Sequence, residues 1–228
     1  MSNKSMYKVG LTTAILSAFG WIAFILGSTG GPDYSTLSGL ELFQAWNENR
    51  FGRLLYGWGG VFGALLSIPY FLSFHYALKE TGSVRSVTTV AAVIGSVLAA
   101  FGFFKPLTMV YAWVPAALEA SPDALPMIEI AANYASGLFE VPWWIGSFLA
   151  YSLGVGLFAY YAFRTDTGPK WLNIVGILGG ITGIIWLRYF FPVLYNWEFI
   201  GSILNILMIF IWSIGLSASL LKTESNNK

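Results

Sequence analysis

The chain contains no cysteine and a single histidine, His75. Without cysteine it can form no disulfide, thiolate metal site, cysteine nucleophile or cysteine-ligated iron–sulfur cluster. One histidine is also too few for a bis-histidine haem, a three-histidine zinc site or the histidine-rich iron centre of a membrane oxygenase. We therefore expect no metal and no cofactor. His75 lies near the end of an apolar run, and we expect it to be interfacial rather than catalytic.

Known catalytic motifs are missing as well. The sequence has no GxSxG elbow, no HExxH pair, no P-loop and no GxGxxG after a strand. Gly146-Ser147 and Gly201-Ser202 have no histidine near them in the expected topology, so a serine protease has little support. We predict no catalytic residue and expect the chain not to be an enzyme.

Charged residues are scarce, at 10% of the 228 residues, whereas about a quarter of a soluble domain is charged. Apolar residues make up 56%, and the mean hydropathy is +0.66. The 18 Phe, 12 Tyr and 10 Trp suit helix ends that lie among lipid headgroups. The few basic residues are scattered singly in short loops, which gives no footprint for a nucleic-acid partner. The composition predicts an integral membrane protein whose main partner is the lipid bilayer.

Six apolar stretches account for most of the chain. They run near Val9 to Gly27, Leu54 to Leu78, Val87 to Trp113, Leu138 to Phe163, Trp171 to Tyr195 and Phe199 to Leu221. Each reaches the roughly 20 residues that a helix needs to cross a ~30 Å hydrocarbon core. Strands of a membrane barrel would alternate in polarity, and these runs do not. We predict an all-α fold, a single six-helix transmembrane domain over residues 1–228.

The first stretch also resembles a secretory signal, because Lys4 and Lys8 precede it. Its apolar run is longer than the usual 7 to 15 residues of a signal core, and no A-x-A-like site follows. We expect it to be retained as a span.

The charges between the spans predict the orientation. The ends and the even-numbered turns carry eight basic residues against three acidic ones. The basic residues are Lys4, Lys8, Lys79, Arg85, Arg164, Lys170, Lys222 and Lys228. Because cytoplasmic loops are enriched in Lys and Arg, we expect both termini to be cytoplasmic. The expected location is the plasma membrane of a bacterium or archaeon.

Two connections on the opposite side are long, at residues 28–53 and 114–137. In the first, Leu37, Leu40, Phe43 and Trp46 recur every three residues. In the second, Ser121-Pro122-Asp123 has the composition of a helix start. Short interfacial helices or ordered loops that cover the bundle are both compatible with these patterns.

Small residues predict where the helices pack closely, since lipid removes most of the hydrophobic drive between helices. The candidate packing glycines are Gly59, Gly63, Gly95, Gly176, Gly179, Gly180 and Gly183. They can form seams within one chain or the contact surface of a homodimer, and the oligomeric state stays open. Kinks are expected at Pro69, Pro106, Pro142 and Pro192.

Four charges share one depth near the outer rim. Lys105 and Arg188 each lie 17 residues into their spans, about 26 Å from the inner edge, and Glu140 and Glu198 begin the returning spans. Structural pairing and snorkelling are one interpretation. The other is an outward-facing pocket that attracts an anionic group, with Arg50 and Arg53 extending its basic side. Its apolar wall would be formed by Trp143, Trp144, Trp186 and Tyr189. Asn173 and Asn205 are expected to form hydrogen bonds between helices.

Residues 157–164, LFAYYAFR, and 169–180, PKWLNIVGILGG, combine an "F-R" helix exit, a short loop with a proline and a glycine-rich span. With the six-span layout, this pattern resembles a family of uncharacterised bacterial membrane proteins, domain of unknown function 4386. The resemblance implies a polytopic membrane protein and carries no catalytic residues. A separate similarity between 76–82, YALKETG, and 161–168, YAFRTDTG, is compatible with an internal parallel repeat or with coincidence.

Three functions follow from these observations. The first is non-enzymatic binding or transport of a small amphiphilic or anionic molecule at an outer-facing pocket. The second is an accessory or scaffold role, in which glycine-rich helix faces contact another membrane protein. The third, an enzyme that acts on lipid, lacks a convergent set of acid, base and nucleophile.

Overall fold

The computed structural model describes residues 3–29, 31–78, 83–188 and 190–226. The chain is 89% helical, and the described residues contain no strand. Six helices are long and apolar enough to span a membrane. The predicted all-α class and the presence of six helices with the length and composition of membrane spans are therefore confirmed for the described residues.

Within the described residues, seven helices follow one another. They are α1 Asn3–Ser28, α2 Gly39–Glu48, α3 Arg50–Ala77, α4 Ser83–Leu118, α5 Leu125–Arg164, α6 Lys170–Leu187 and α7 Glu198–Asn226. All except α2 have the length and composition of a membrane span. Two short 3-10 turns, Tyr34–Thr36 and Pro192–Trp197, lie in the connections before α2 and α7.

Prolines explain where the long helices are interrupted. The α-helical hydrogen bonding of α3 breaks at Leu66 and that of α4 at Phe103, in each case three residues before Pro69 and Pro106. A proline lacks the amide donor and crowds the preceding turn, so the strain falls at these positions. Pro142 lies inside α5, and the helix widens into a π segment nearly two turns later, at Phe148–Gly154. A second π segment, Met109–Trp113, follows Pro106 in α4.

The end of the fifth span differs from the prediction. Helix α6 tightens into a 3-10 turn at Gly183–Leu187 and ends there, rather than continuing to Tyr195. Pro192 therefore begins the 3-10 turn before α7 and kinks no helix. A backbone that must turn back toward α7 within a few residues has no room for further helix.

The second long connection also differs from the prediction. It holds no separate interfacial helix, because α4 continues to Leu118 and α5 already begins at Leu125, which leaves only the turn 119–124. The predicted cap at Ser121 was wrong, since the turn Ser121–Ala124 precedes the helix and Pro126 occupies its first turn. In the first connection, α2 forms where the three-residue recurrence of apolar side chains lies.

Small residues bring the helices into close contact within the chain. A Cβ added at Gly59 would lie 2.7 Å from the carbonyl oxygen of Gly20 in α1, and one at Gly95 would lie 2.5 Å from the amide nitrogen of Ala150 in α5. The other predicted packing glycines, Gly63, Gly176, Gly179, Gly180 and Gly183, also face a neighbouring helix of the same chain. At each of these glycines a larger residue would fit only if the atoms that face it shifted.

Aromatic side chains fill the space between the helices where the glycines do not meet. Phe71, Phe74, Phe158 and Trp212 are all fully buried, from α3, α5 and α7. The rings of Phe74 and Trp212 lie 4.8 Å apart. This core stands in the middle of the bundle and fixes the positions of the helices whose ends form the cavities described below.

The two ends of the bundle are distinct. Tyr7 of α1, Ala77 of α3 and Thr223 of α7 line one cavity, so these helix ends lie together at what we call the terminal end. The opposite end, the loop end, carries α2 and the turn 119–124. The internal repeat suggested by the similarity between residues 76–82 and 161–168 stays a prediction, because residues 79–82 lie outside the described residues.

Helix α2 packs on the loop end of the α4–α5 hairpin. Its Leu42, Phe43 and Trp46 are buried against Val110 and Val114 of α4. Since α4 and α5 have 36 and 40 residues, at 1.5 Å per residue they are about 54 and 60 Å long, well beyond a ~30 Å hydrocarbon core. The hairpin and α2 thus form a small apolar cluster at the loop end.

Candidate functional site

Two adjacent cavities open at the loop end of the bundle. The first, the Arg53 cavity, has a volume of about 280 Å³. The second, the Arg188 cavity, has a volume of about 310 Å³. Ser28, Tyr56 and Trp143 line both cavities and form the wall between them. Together they have the size of a small-molecule site, for which about 300–1,000 Å³ is usual.

The Arg53 cavity lies beneath the first long connection. Arg53 stands in the first turn of α3, and its backbone amide donates a hydrogen bond of 3.0 Å to Asn49. Its guanidinium carbon is 4.2 Å from the ring centroid of Tyr34 and 5.4 Å from that of Trp46. These cation–π contacts help to hold the cation in a largely buried position.

The Arg188 cavity has the same kind of cation at its rim. Arg188 directly follows the 3-10 turn that ends α6, and its guanidinium carbon lies 4.0 Å from the ring centroid of Trp144. Trp144 in turn stacks on Trp143, with 4.2 Å between the ring centroids. Arg188 is buried, so its charge acts in a medium where it is weakly screened.

Trp186 is fixed by a polar contact deeper in the bundle. Its indole nitrogen donates a hydrogen bond of 2.9 Å to the Asn205 side-chain oxygen. The Asn205 amide nitrogen donates to the carbonyl oxygens of Gly179, at 2.7 Å, and Tyr151, at 3.2 Å. Tyr151 lies in the π segment of α5, and Gly179 lies a turn before the 3-10 end of α6. Asn205 thus joins three helices, as expected of an asparagine in a membrane span.

Lys105 and Glu140 form an ion pair between α4 and α5. About a third of each side chain is exposed. Lys105 also lines the Arg53 cavity, next to Phe103 and Pro106, whereas Glu140 does not line either cavity. For these two residues the pairing predicted as one alternative is present, and Lys105 contributes to the cavity at the same time.

Basic groups dominate the described lining of the two cavities. Arg53, Lys105 and Arg188 line them, and the lining contains no carboxylate and no imidazole. Hydroxyl groups of Ser28, Tyr34, Tyr56 and Ser202 add hydrogen-bonding capacity. The indole nitrogen of Trp143 is buried and has no hydrogen-bond partner within the described part of the chain. The lining is therefore suited to binding an anion.

The predicted site residues divide into three groups. The cavities are lined by Lys105, Arg188, Trp143 and Trp186. Trp144 does not line them, and its ring contacts the guanidinium group of Arg188. Glu140 lies beside them, paired with Lys105. Tyr189 and the side chain of Glu198 lie outside the described residues.

Sequence reasoning missed several lining residues. Tyr34, Trp46 and Tyr56 were not predicted, although Arg53 was named as an extension of the basic side. Tyr56 follows Arg53 by about one helical turn, which was the available signal. Tyr34 and Trp46 reach the cavity only because the first connection folds back over α3.

Metal and catalytic chemistry find no further support. Among the described residues, no group of three or more His, Asp or Glu side chains is placed to hold a metal ion. The His75 ring nitrogen Nδ1 lies 2.7 Å from the Thr89 hydroxyl, far along α3 from Arg53. Asn173 donates a hydrogen bond of 2.9 Å to the carbonyl oxygen of Thr167, which lies in the short connection before α6, so this bond does not join two helices as predicted.

Comparison with known proteins gives no assignment: the chain matches no protein-family model, no curated protein and no solved structure.

Proposed function

We propose that the protein binds, and in the membrane moves or presents, a small molecule that combines an anionic group with an apolar body. The observation that carries this proposal is the lining of the two cavities, with three basic side chains and a wall of tryptophan and tyrosine. An anion gains charge-assisted hydrogen bonds from such cations, and aromatic rings cover an apolar body.

The membrane setting is part of the proposal. The six apolar helices support a multi-pass membrane protein. The basic bias at the terminal end supports cytoplasmic termini, which would place the loop end and both cavities on the outer side of the plasma membrane of a bacterium or archaeon. Membership of the domain of unknown function 4386 family stays a proposal that rests on the pattern in residues 157–180.

The packing of the glycines favours binding over the scaffold alternative. All seven candidate packing glycines face another helix of the same chain, so their close-packing capacity is used within one bundle. A scaffold that docked through these faces would need them at the lipid surface. An enzyme acting on lipid has less support, because the lining holds no carboxylate or imidazole among the described residues.

The test compares three arginines in lipid nanodiscs, with tritiated laurate as the anionic probe and tritiated lauryl alcohol as its uncharged match. Arg53→Gln and Arg188→Gln should each weaken laurate binding by about tenfold or more, since a hydrogen bond to a charged group contributes about 1.5–3 kcal/mol. Arg50→Gln is the control, because Arg50 is exposed, lines neither cavity and carries the same charge.

The alcohol should bind weakly to all four proteins. Equal laurate binding by the wild type and both cavity variants, measured on protein with unchanged folded yield, would refute the proposal. If all three arginine variants lost affinity equally, the effect would be one of overall charge, and the cavities would not be the site.

A further inference from the structure

The two cavities differ in what surrounds them. The Arg53 cavity lies beneath the polar connection that carries Tyr34 and leads into α2. The Arg188 cavity lies between α1 and α7, and most of its lining from these two helices is apolar, from Phe24, Ile25, Ile203 and Ile206. One cavity is thus near water and the other is set among the apolar faces of two spans.

The mouth of the Arg188 cavity lies on a surface that lipid would cover. On α1, Leu26 is 61% exposed, and on α7, Ile200 is 56% exposed. Both belong to helices long and apolar enough to cross a membrane. Ile203 lines the cavity and is itself 37% exposed, so it connects the interior to this apolar surface. In a bilayer the neighbours of this mouth are acyl chains.

The depth of Arg188 matches that of a lipid headgroup. Helix α6 has 18 residues before Arg188, which corresponds to about 27 Å, close to the ~30 Å hydrocarbon thickness. Ser28 and Thr29, at the end of α1, add exposed hydroxyl groups at the same end of the mouth. The cation and hydroxyl groups therefore lie where an anionic head would be, with Ile203 and Ile206 leading back toward the membrane interior.

The floor of the cavity limits how far an apolar chain can reach. Below Trp186 and Ile206 the remaining space shrinks to about 10 Å³, lined by Trp21, Tyr151 and Asn205 among others. That is no more than the space of one water molecule. The Trp186–Asn205 hydrogen bond closes the bundle at this level. A cavity of about 310 Å³ above this floor fits a single chain better than the two chains of a phospholipid.

We infer that the ligand is a single-chain anionic amphiphile of the membrane leaflet, and that it enters sideways between α1 and α7 with its head at Arg188 and its chain along Ile203 and Ile206. This inference rests on the proposed function and adds the ligand class and the route. Trp143 lines the same cavity, and the anionic head of the ligand would accept a hydrogen bond from its buried indole nitrogen.

The experiment closes the mouth reversibly. Because the natural chain has no cysteine, Thr29→Cys and Ser202→Cys, one on each side of the mouth, can be joined by a short cleavable thiol cross-linker. In nanodiscs, cross-linking should lower tritiated laurate binding by about tenfold or more, and reduction of the linker should restore it in the same sample. Recovery shows that the protein stayed folded.

A second pair of variants tests the same mouth without a cross-linker. Ile203→Trp should fill it and weaken laurate binding to a similar extent, whereas Leu207→Trp should not. Leu207 is the matched control, since it lies one turn further along α7, is 51% exposed and does not line the cavity. Butyrate, which has the same head and almost no chain, should bind far more weakly than laurate to the wild type.

The outcomes separate the two proposals. If Arg188→Gln loses laurate binding but the cross-link and Ile203→Trp do not, sideways entry is wrong and the anion site stands. If butyrate or inorganic phosphate competes with laurate at equal concentration, the ligand is a soluble anion, and the inference fails. If Arg188→Gln binds laurate like the wild type and Arg53→Gln does not, this inference fails and the proposed function stands. If both variants bind laurate like the wild type, the proposed function itself fails.

Discussion

Gly146 and Gly137, both in α5, should respond to alanine substitution in opposite directions. A Cβ added at Gly146 would lie 2.6 Å from the carbonyl oxygen of Gly95 in α4, whereas ordinary contacts begin at 3.4 Å, and it would also meet the amide nitrogen of Ala99. These are backbone atoms, so the two helices must separate by nearly 1 Å. A Cβ added at Gly137 would meet nothing within 4 Å.

The magnitudes follow from two opposing effects. Replacing glycine by alanine inside a helix gains about 0.5–1 kcal/mol. Overpacking a close contact costs about 1–3 kcal/mol. Gly137→Ala should therefore stabilise the protein by about 0.5–1 kcal/mol. Because Gly146 faces backbone atoms, the upper part of the overpacking range, about 2–3 kcal/mol, applies there, and Gly146→Ala should destabilise the protein by about 1–2.5 kcal/mol.

The assay is reversible unfolding in mixed micelles of dodecyl sulfate and a mild detergent, followed by tryptophan fluorescence. The free energy of unfolding of each variant is compared with that of the wild type under the same conditions. A Gly146→Ala protein as stable as the wild type would refute the close approach of α4 and α5. A Gly137→Ala protein that is destabilised would place another group against that position.

Two further predictions use the same unfolding assay. Asn205→Leu should lower the free energy of unfolding by about 2 kcal/mol, because it removes three hydrogen bonds that average about 0.6 kcal/mol each in a membrane. Asn173→Leu removes one hydrogen bond and should lower it by about a third as much. A larger loss for Asn173→Leu than for Asn205→Leu would contradict the hydrogen-bond assignment. Lys105→Glu should destabilise the protein by about 1–2 kcal/mol through the repulsion it creates with Glu140. Adding Glu140→Lys to that variant should recover most of the lost stability. If the losses of the two substitutions add in the double variant, the two side chains do not pair.

The spans could be predicted from the sequence because one quantity, uninterrupted apolar length, decides them. Their true ends could not, because helix continues beyond the membrane core wherever the chain finds packing partners. Helix α5 starts at Leu125 rather than Leu138 since Leu125 and Ile128 pack on the cluster formed by α2 and α4. The amphipathic start of α5 has the same local pattern as a separate short helix.

Only part of the candidate site was predictable from the sequence. Arg188 and Lys105 stand out because a cation near a span end is unusual. Trp186 lies two residues before Arg188, and Trp143 lies three residues after Glu140. Tyr34 and Trp46 come from a connection whose path depends on contacts with α3 and α4, and no local pattern encodes that path. The partner of Arg188, the Trp144 ring, also depends on how α5 and α6 are placed.

The length of the α4–α5 hairpin has a practical consequence. With headgroups included a bilayer is about 40–45 Å thick, so if α4 and α5, about 54 and 60 Å along their contours, cross it, their loop end would form a knob beyond the surface. A nanobody raised against that knob would give a protein of only 25.0 kDa the added mass and landmark that single-particle electron microscopy needs. Applied to unbroken cells, the same reagent would report directly which way the molecule faces.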